Sequence, residues 1–145
     1  MATIFTVDAS VFINGFNPYE EGYKHSRRLL VRMQEEAVPI VVPTLLLPEV
    51  AAAVRRGRDD QDLARRFAAR LRRLPHLVLV SVDEVLAQQA ADVAAQYRLR
   101  GSDAVYAAVA LRFGSTMVTL DREQRERVAA VVTAHTPSEA LAEWG

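Results

Sequence analysis

Four acidic residues stand at points where the sequence predicts that a strand ends or a helix begins. Asp8 and Asp121 each follow a short apolar run that is typical of a buried strand. Glu49 and Asp103 each fall in the first turns of a predicted helix. Carboxylates held close together repel one another, so some must be protonated or a cation must neutralise them. Oxygen-only ligands favour hard ions, so Mg²⁺ or Mn²⁺ is the natural candidate. The chemistry this suggests is metal-assisted hydrolysis of a phosphodiester.

Each of these acids also has a purely structural explanation when it is considered alone. Asp8 can end a strand and begin a turn, and Glu49 can be a solvated helix residue. Asp103 can complement the dipole of its helix, and Asp121 can cap the helix that follows it. The shared placement of all four, from distant parts of the sequence, favours a site.

The elements that would position these acids alternate between strands and helices. Strands are predicted at 4–7, 40–42, 77–80 and 116–119, with a weak fifth strand near 130–132. Helices are predicted at about 20–36, 44–55, 60–73 and 103–112, from just after Ser81 to about Tyr97, and in a short segment after the fourth strand. This order predicts a three-layer α/β/α sandwich with a central, mostly parallel sheet of four to five strands. In such sheets ligands bind at the carboxyl ends of the strands, where the four acids are expected to meet.

Local signals predict where several of these elements begin and end. Asn and Gly residues between 14 and 18 indicate a loop. Thr44 is the predicted N-cap of a helix that Gly57 ends. Ser81 and Glu84 have the spacing of a capping box at the start of the helix after the third strand.

The composition excludes several classes of protein and site. A chain of 145 residues suits a single domain, expected at 1–145. It has no cysteine, which excludes disulfides, thiolate metal sites and cysteine nucleophiles. Its formal net charge is zero, so the molecule as a whole is not a polycation. The sequence shows no export signal and no run near the ~18 apolar residues of a membrane span, so we expect a cytoplasmic protein without a membrane partner.

Arginines are concentrated between Arg55 and Arg73. Eight arginines and three aspartates lie in this stretch. They form either a solvated, partly ion-paired surface or a track for RNA phosphates, whose binding would weaken steeply with salt. Arg55 and Arg56 are RNA-binding candidates in this stretch, and Arg122 and Arg125 are candidates nearer the predicted acidic edge.

Four segments that contain the acids together resemble the PIN domain family. They are residues 7–13 (VDASVFI), 47–50 (LPEV), 102–108 (SDAVYAA) and 118–121 (VTLD), in the order and at intervals like those of the family. The resemblance is to the small single-domain members that include VapC-type toxins. It implies a PIN-like nuclease domain and a Mg²⁺- or Mn²⁺-dependent endoribonuclease that hydrolyses RNA phosphodiester bonds. Its catalytic acidic quartet would be Asp8, Glu49, Asp103 and Asp121.

The resemblance also implies roles for individual residues and partners. Asp8 and Asp103 would bind the metal directly, whereas Glu49 and Asp121 would bind a second ion or orient water. It further implies a homodimer and, if the protein is the toxin of a toxin–antitoxin pair, a small antitoxin protein. An extended segment of that antitoxin would occupy the acidic groove with a basic side chain among the carboxylates.

Two hydroxyl residues match positions that support the acids in the family. Ser10 lies two residues after Asp8, and Thr119 lies two residues before Asp121. A plain turn role for Ser10 and a plain strand role for Thr119 stay open.

Three other functions compete with this interpretation. A receiver-type phosphoacceptor needs a lysine near the last strand ends, whereas the only lysine is Lys24. A phosphatase of the haloacid dehalogenase type would have a second aspartate where Ser10 stands. A catalytically silent PIN-fold module that binds RNA or protein stays open, although the presence of all four acids favours the enzyme.

Overall fold

The computed structural model describes residues 3–144. Across these residues five strands form one sheet in which every neighbouring pair is parallel, in the order β3-β2-β1-β4-β5. The strands are β1 (Phe5–Val7), β2 (Ile40–Pro43), β3 (Leu77–Val80), β4 (Thr116–Val118) and β5 (Ala134–His135). The predicted α/β/α class is confirmed, with β1 at the centre of the sheet and β4 beside it.

Eight helices flank this sheet within the described residues. They are α1 (Ala9–Gly15), α2 (Tyr23–Glu35), α3 (Leu46–Arg58), α4 (Gln61–Arg72), α5 (Glu84–Tyr97), α6 (Gly101–Phe113), α7 (Arg122–Val128) and α8 (Pro137–Trp144). Helix α6 packs across β1, β2 and β4, and α5 packs on α6. Helix α1 packs against α2 and α3, and α8 packs against α2. No helix of residues 3–144 has the length and apolar character that crossing a bilayer requires.

The central strands are buried on both faces, which explains why they appear as unbroken apolar runs in the sequence. Val7, Ile40, Val42, Met117 and Val118 have no exposed surface. Strand β3 lies at one edge and is only partly covered. The sheet therefore fixes the ends of β1 and β4 within the core of the molecule.

A helix that was not predicted, α1, includes residues 14 and 15 at the start of the predicted loop, whereas residues 16–18 are not helical. It begins directly after Asp8, whose side chain accepts from the backbone N–H of Ser10. Asn14 is fully buried, where its side chain donates to Glu20 and accepts from the hydroxyl of Ser26. The loop prediction was therefore wrong only for residues 14 and 15, because Asn14 satisfies its amide through tertiary contacts and not through a turn.

Three predicted helix boundaries were also wrong. Helix α3 has Leu45 and not Thr44 as its N-cap, and it continues through Gly57. It ends where Asp59 adopts a left-handed conformation, with φ of 50°. Helix α5 is capped by Asp83, which accepts from the N–H of Leu86 at 2.9 Å, and not by the predicted box that begins at Ser81.

The last part of the described chain also differs from the prediction. The fifth strand lies at Ala134–His135, because residues 129–132 form a turn after α7. Helix α8 was not predicted. Its Trp144 packs against Phe5 with ring centroids 5.4 Å apart, and the Arg32 guanidinium lies 4.1 Å from the centre of the Trp144 ring.

Candidate active site

All four predicted acids line one cavity of about 260 Å³ at the carboxyl edge of the sheet. Asp8 follows β1, and Asp121 lies just beyond β4, which is the parallel neighbour of β1. Glu49 and Asp103 lie in the first turns of α3 and α6. The structure thus brings together the carboxylates that the sequence predicted to meet, although they come from four different parts of the fold.

Asp8 is the most enclosed of the four acids, with only 7% of its surface exposed. Its Oδ1 accepts from the backbone N–H of Ser10 at 3.1 Å and from the Ser10 hydroxyl at 2.5 Å. Its Oδ2 accepts from the hydroxyl of Thr119 at 2.5 Å. Burial raises the pKa of Asp8, and these hydrogen bonds partly offset that effect. Both predicted supporting hydroxyls therefore contact Asp8 directly.

The same two hydroxyls also connect Asp8 to the chain around Asp121. The Ser10 hydroxyl accepts from the backbone N–H of Leu120 at 3.3 Å. The Thr119 hydroxyl accepts from the backbone N–H of Asp121 at 3.1 Å. These bonds fix the segment after β4 relative to the segment after β1, so the distance between the two acids is set by buried contacts.

Glu49 is half-buried and is held by an aromatic residue of α6. The hydroxyl of Tyr106 donates to Glu49 Oε1 at 2.7 Å. Burial raises the pKa of Glu49, the bond from Tyr106 lowers it, and the nearby charges of Asp8 and Asp103 raise it. Tyr106 itself is 2% exposed, and its burial raises the pKa of its hydroxyl strongly, so it remains a hydrogen-bond donor.

Asp103 and Asp121 are joined by one arginine. The guanidinium of Arg100 donates through Nε to Asp103 Oδ2 at 3.0 Å and through Nη2 to Asp121 Oδ2 at 2.5 Å. The other oxygen of Asp121 accepts from the backbone N–H of Gln124 at 3.0 Å and caps α7. Burial raises the pKa of Asp103, whereas the bond from the Gln124 N–H is the largest of the effects that lower the pKa of Asp121.

The four predicted RNA-binding arginines do not line this cavity. Arg55 and Arg122 are exposed, and each pairs with an acid one turn further along the chain. Arg56 is exposed and lies near the carboxyl end of α3, whereas Glu49 lies in the first turn of the same helix. Arg125 is half-buried and donates to the backbone carbonyl of Thr119 at 3.2 Å. Arg125 is therefore next to the site, but its guanidinium contacts the backbone after β4 and not the acids.

Three residues of the site were not predicted: Arg100, Tyr106 and Gln124. Arg100 and Tyr106 lie three positions before and after Asp103, a spacing that places side chains close together on a helix. Gln124 lies three positions after Asp121, where the N–H of a capped helix is expected. Gln124 is 2% exposed, and its Nε2 has no hydrogen-bond partner among residues 3–144. Helical spacing from each predicted acid would have identified all three.

The chemistry of the donors fits a hard divalent cation. Every charged oxygen of the cavity belongs to a carboxylate, and burial raises the pKa of Asp8, Glu49 and Asp103, a cost that a cation would offset. Within residues 3–144, however, no three acidic or imidazole side chains are arranged so that they could hold an ion as they stand. Arg100 lies between two of the carboxylates instead.

The model of the PIN domain family matches residues 5–130, which include all four acids. No curated protein matches the chain.

Solved structures share the fold at low sequence identity. The VapC20 toxin of Mycobacterium tuberculosis, described as cleaving the sarcin–ricin loop, has 20% identity and a TM-score of 0.73, covering 90% of this chain and 97% of that one. VapBC2 of Rickettsia felis, bound to a DNA fragment from its promoter, has 12% identity and a TM-score of 0.69, with coverages of 92% and 98%. PAE2754 of Pyrobaculum aerophilum has 24% identity and a TM-score of 0.66, with coverages of 99% and 97%.

Proposed function

The chain belongs to the PIN domain family, and we propose that it is a divalent-metal-dependent endoribonuclease that hydrolyses RNA phosphodiester bonds. The observation that carries the proposal is the meeting of Asp8, Glu49, Asp103 and Asp121 in one cavity. Four carboxylates from separate elements repel one another, and packing alone gives no reason to gather them. A catalytic cation, Mg²⁺ or Mn²⁺, gives that reason.

In this proposal Asp8 and Asp103 hold the ion, and Glu49 and Asp121 hold a second ion or orient water. When bound, the ion supplies Lewis-acid chemistry by neutralising charge on the phosphate and activating water for attack. The protein contributes rigidity, because Ser10 and Thr119 together give both oxygens of Asp8 a donor. A carboxylate that is already oriented needs little rearrangement when the ion arrives.

The similarity to VapC20 and to the VapBC complexes supports a biological role. We propose that the chain acts in the cytoplasm as the toxin of a toxin–antitoxin pair, as a homodimer, with a small antitoxin as its partner. A basic side chain of the antitoxin would enter the acidic cavity. An upstream gene for a short DNA-binding protein, whose product copurifies with this chain, is the expected observation. A gene without such a neighbour would count against the pair.

Cleavage of labelled RNA by the purified chain tests the enzymatic proposal. We expect cleavage with Mn²⁺ and none with EDTA. Asp8→Asn and Asp103→Asn should each reduce the rate about a hundredfold or more, because each removes a charged ligand. The control is Asp92→Asn, which changes an exposed acid of α5 outside the cavity and should leave the rate unchanged. Equal rates in all three variants would contradict the proposal.

A catalytically silent PIN-fold module that binds RNA or protein is the second candidate. The observation in its favour is that Arg100 already neutralises part of the acidic cavity through Asp103 and Asp121. Such a module would bind RNA or protein equally well with Mn²⁺ and with EDTA, and it would cleave RNA in neither condition.

A further inference from the structure

Arg100 is the one basic side chain that lines the acidic cavity in the described part of the chain. Its side chain is 63% exposed, whereas that of Asp103 is 14% exposed and that of Asp121 is 35% exposed. A long, solvated cation therefore reaches inward to two more enclosed carboxylates. Because its guanidinium is at the rim, it can leave them without any change in the core.

The stability of α6 does not explain this arrangement. Arg100 is the N-cap residue of α6, and its side chain makes no capping hydrogen bond. A cation at the amino end of a helix opposes the helix dipole, which favours anions at that end. The two carboxylates are therefore the reason for the position of the guanidinium.

An ion held by Asp103 and the guanidinium of Arg100 would compete for the same carboxylate. Nε of Arg100 already uses Asp103 Oδ2, and Nη2 uses Asp121 Oδ2. A divalent ion brings twice the charge, and once it binds, the guanidinium loses much of its attraction to the carboxylates. An RNA phosphate then offers two oxygens that match the fork of a guanidinium.

We propose that Arg100 exchanges partners: it is the counter-ion of Asp103 and Asp121 in the ion-free protein and a ligand of the RNA phosphate in the loaded protein. This inference rests on the proposed ribonuclease function. Partner exchange predicts opposite effects of losing Arg100 on ion binding and on RNA cleavage. Loss of Arg100 should help the ion to bind, since a competing charge is removed, and should slow cleavage, since a phosphate contact is lost.

Titration of the ion-free protein with Mn²⁺ by calorimetry, without RNA, tests the first step. We expect Arg100→Ala to lower the Kd for Mn²⁺ about threefold to tenfold, as the loss of two exposed ion pairs implies. Arg100→Lys keeps the charge and should lie nearer the wild type. The control is Arg112→Ala, which removes an exposed arginine from the other end of α6 and should leave the Kd unchanged. An unchanged or higher Kd in Arg100→Ala would overturn partner exchange.

RNA cleavage at saturating Mn²⁺ tests the second step. We expect kcat to fall about tenfold or more in Arg100→Ala and less in Arg100→Lys, because lysine restores charge but not the two-point contact. An unchanged kcat in Arg100→Ala would overturn the phosphate contact.

Asp8→Asn distinguishes failure of partner exchange from failure of the proposed ribonuclease function. If the wild type binds Mn²⁺ and cleaves RNA while Asp8→Asn does not, the proposed function stands, and a negative result at Arg100 overturns partner exchange alone. If the wild type does neither, both fail.

Discussion

The hydroxyl of Thr119, directly after β4, donates to the carboxylate of Asp8, directly after β1, at 2.5 Å. Thr119 has no exposed surface, and Asp8 is 7% exposed. This bond joins two strand ends that are adjacent in the sheet but 111 positions apart in the sequence. The orientation of the most enclosed acid of the site therefore depends on the pairing of β1 with β4.

Replacing Thr119 by Val should weaken both the fold and the site. Valine keeps the shape but leaves the buried Asp8 Oδ2 without its donor, which costs about 1–3 kcal/mol in the free energy of unfolding. We expect this loss in urea denaturation, together with a higher Kd for Mn²⁺. Thr119→Ser retains the hydroxyl and serves as the control. An unchanged free energy of unfolding and an unchanged Kd in Thr119→Val would contradict this role of the hydrogen bond.

Tyr106→Phe should impair the site mainly through Glu49. The hydroxyl that donates to Glu49 at 2.7 Å is lost, so the pKa of Glu49 should rise further above its usual value. We expect cleavage to require more Mn²⁺ for half-maximal rate and the free energy of unfolding to fall by about 1 kcal/mol. Tyr97→Phe, on α5 and outside the cavity, is the matched control. An identical Mn²⁺ dependence in wild type and Tyr106→Phe would refute this role.

The sequence predicts the meeting of the four acids because that meeting follows from topology. Parallel strands end at one edge of the sheet, which brings together Asp8, after β1, and Asp121, after β4. Helix α6, which carries Asp103, follows α5 and leads into β4, so it begins at the edge where the parallel strands end. The spacing of Arg100 to Asp103 was a usable signal, but its contact with Asp121, 21 positions away, is made only in the folded chain. Asn14 was misinterpreted for the same reason, since its partners include Ser26 on α2.

Helix ends were less predictable because neighbouring residues have similar capping ability. Ser81 and Asp83 are both good N-caps, and only the path of the chain after β3 decides between them. In the structure Asp83 accepts from the N–H of Leu86, a residue with no exposed surface. The choice of Asp83 therefore depends on the path of the folded chain and not on propensity.

Substitution of Asp83 by Ala should therefore destabilise the protein, whereas Ser81→Ala should not. We expect Asp83→Ala to lower the free energy of unfolding by about 1 kcal/mol, the usual cost of losing an N-cap. Thermal or urea denaturation of both variants measures the difference. A larger loss of unfolding free energy in Ser81→Ala would show that Ser81 caps the helix, as the sequence predicted.

His76 should make the stability depend on pH. It is 9% exposed, and burial lowers the pKa of its imidazole below the ordinary 6.5. Below about pH 6.5 the unfolded chain therefore binds a proton at this histidine that the folded chain does not. The free energy of unfolding consequently falls as the pH falls from about 6.5 toward the folded pKa.

We expect the free energy of unfolding of His76→Gln to rise relative to that of the wild type as the pH falls from about 7.5 to about 5. Urea denaturation of both proteins at several pH values measures this difference in the free energy of unfolding. The acidic site is present in both proteins, so its own pH dependence cancels in the difference. The exposed His25 provides the control, and His25→Gln should retain the wild-type pH dependence. A constant difference between wild type and His76→Gln would exclude this effect.

Arg56 provides a direct test of RNA binding outside the cavity. It is exposed and has no ion-pair partner within residues 3–144, unlike Arg55, which pairs with Asp59. If Arg56 contacts a phosphate, Arg56→Gln should weaken binding similarly for all RNA sequences and reduce the slope of log K against log salt by about one. Binding is measured in the Asp8→Asn background, where cleavage is expected to be abolished.

Arg112→Gln is the control, since it removes the same charge from the far end of α6. Arg125→Gln would be a poor substitute for Arg56→Gln, because its guanidinium also holds the carbonyl of Thr119 and its loss would disturb the acids. A salt slope equal to that of the parent protein would mean that Arg56 belongs to a solvated surface. The RNA would then have to follow another path from the cavity.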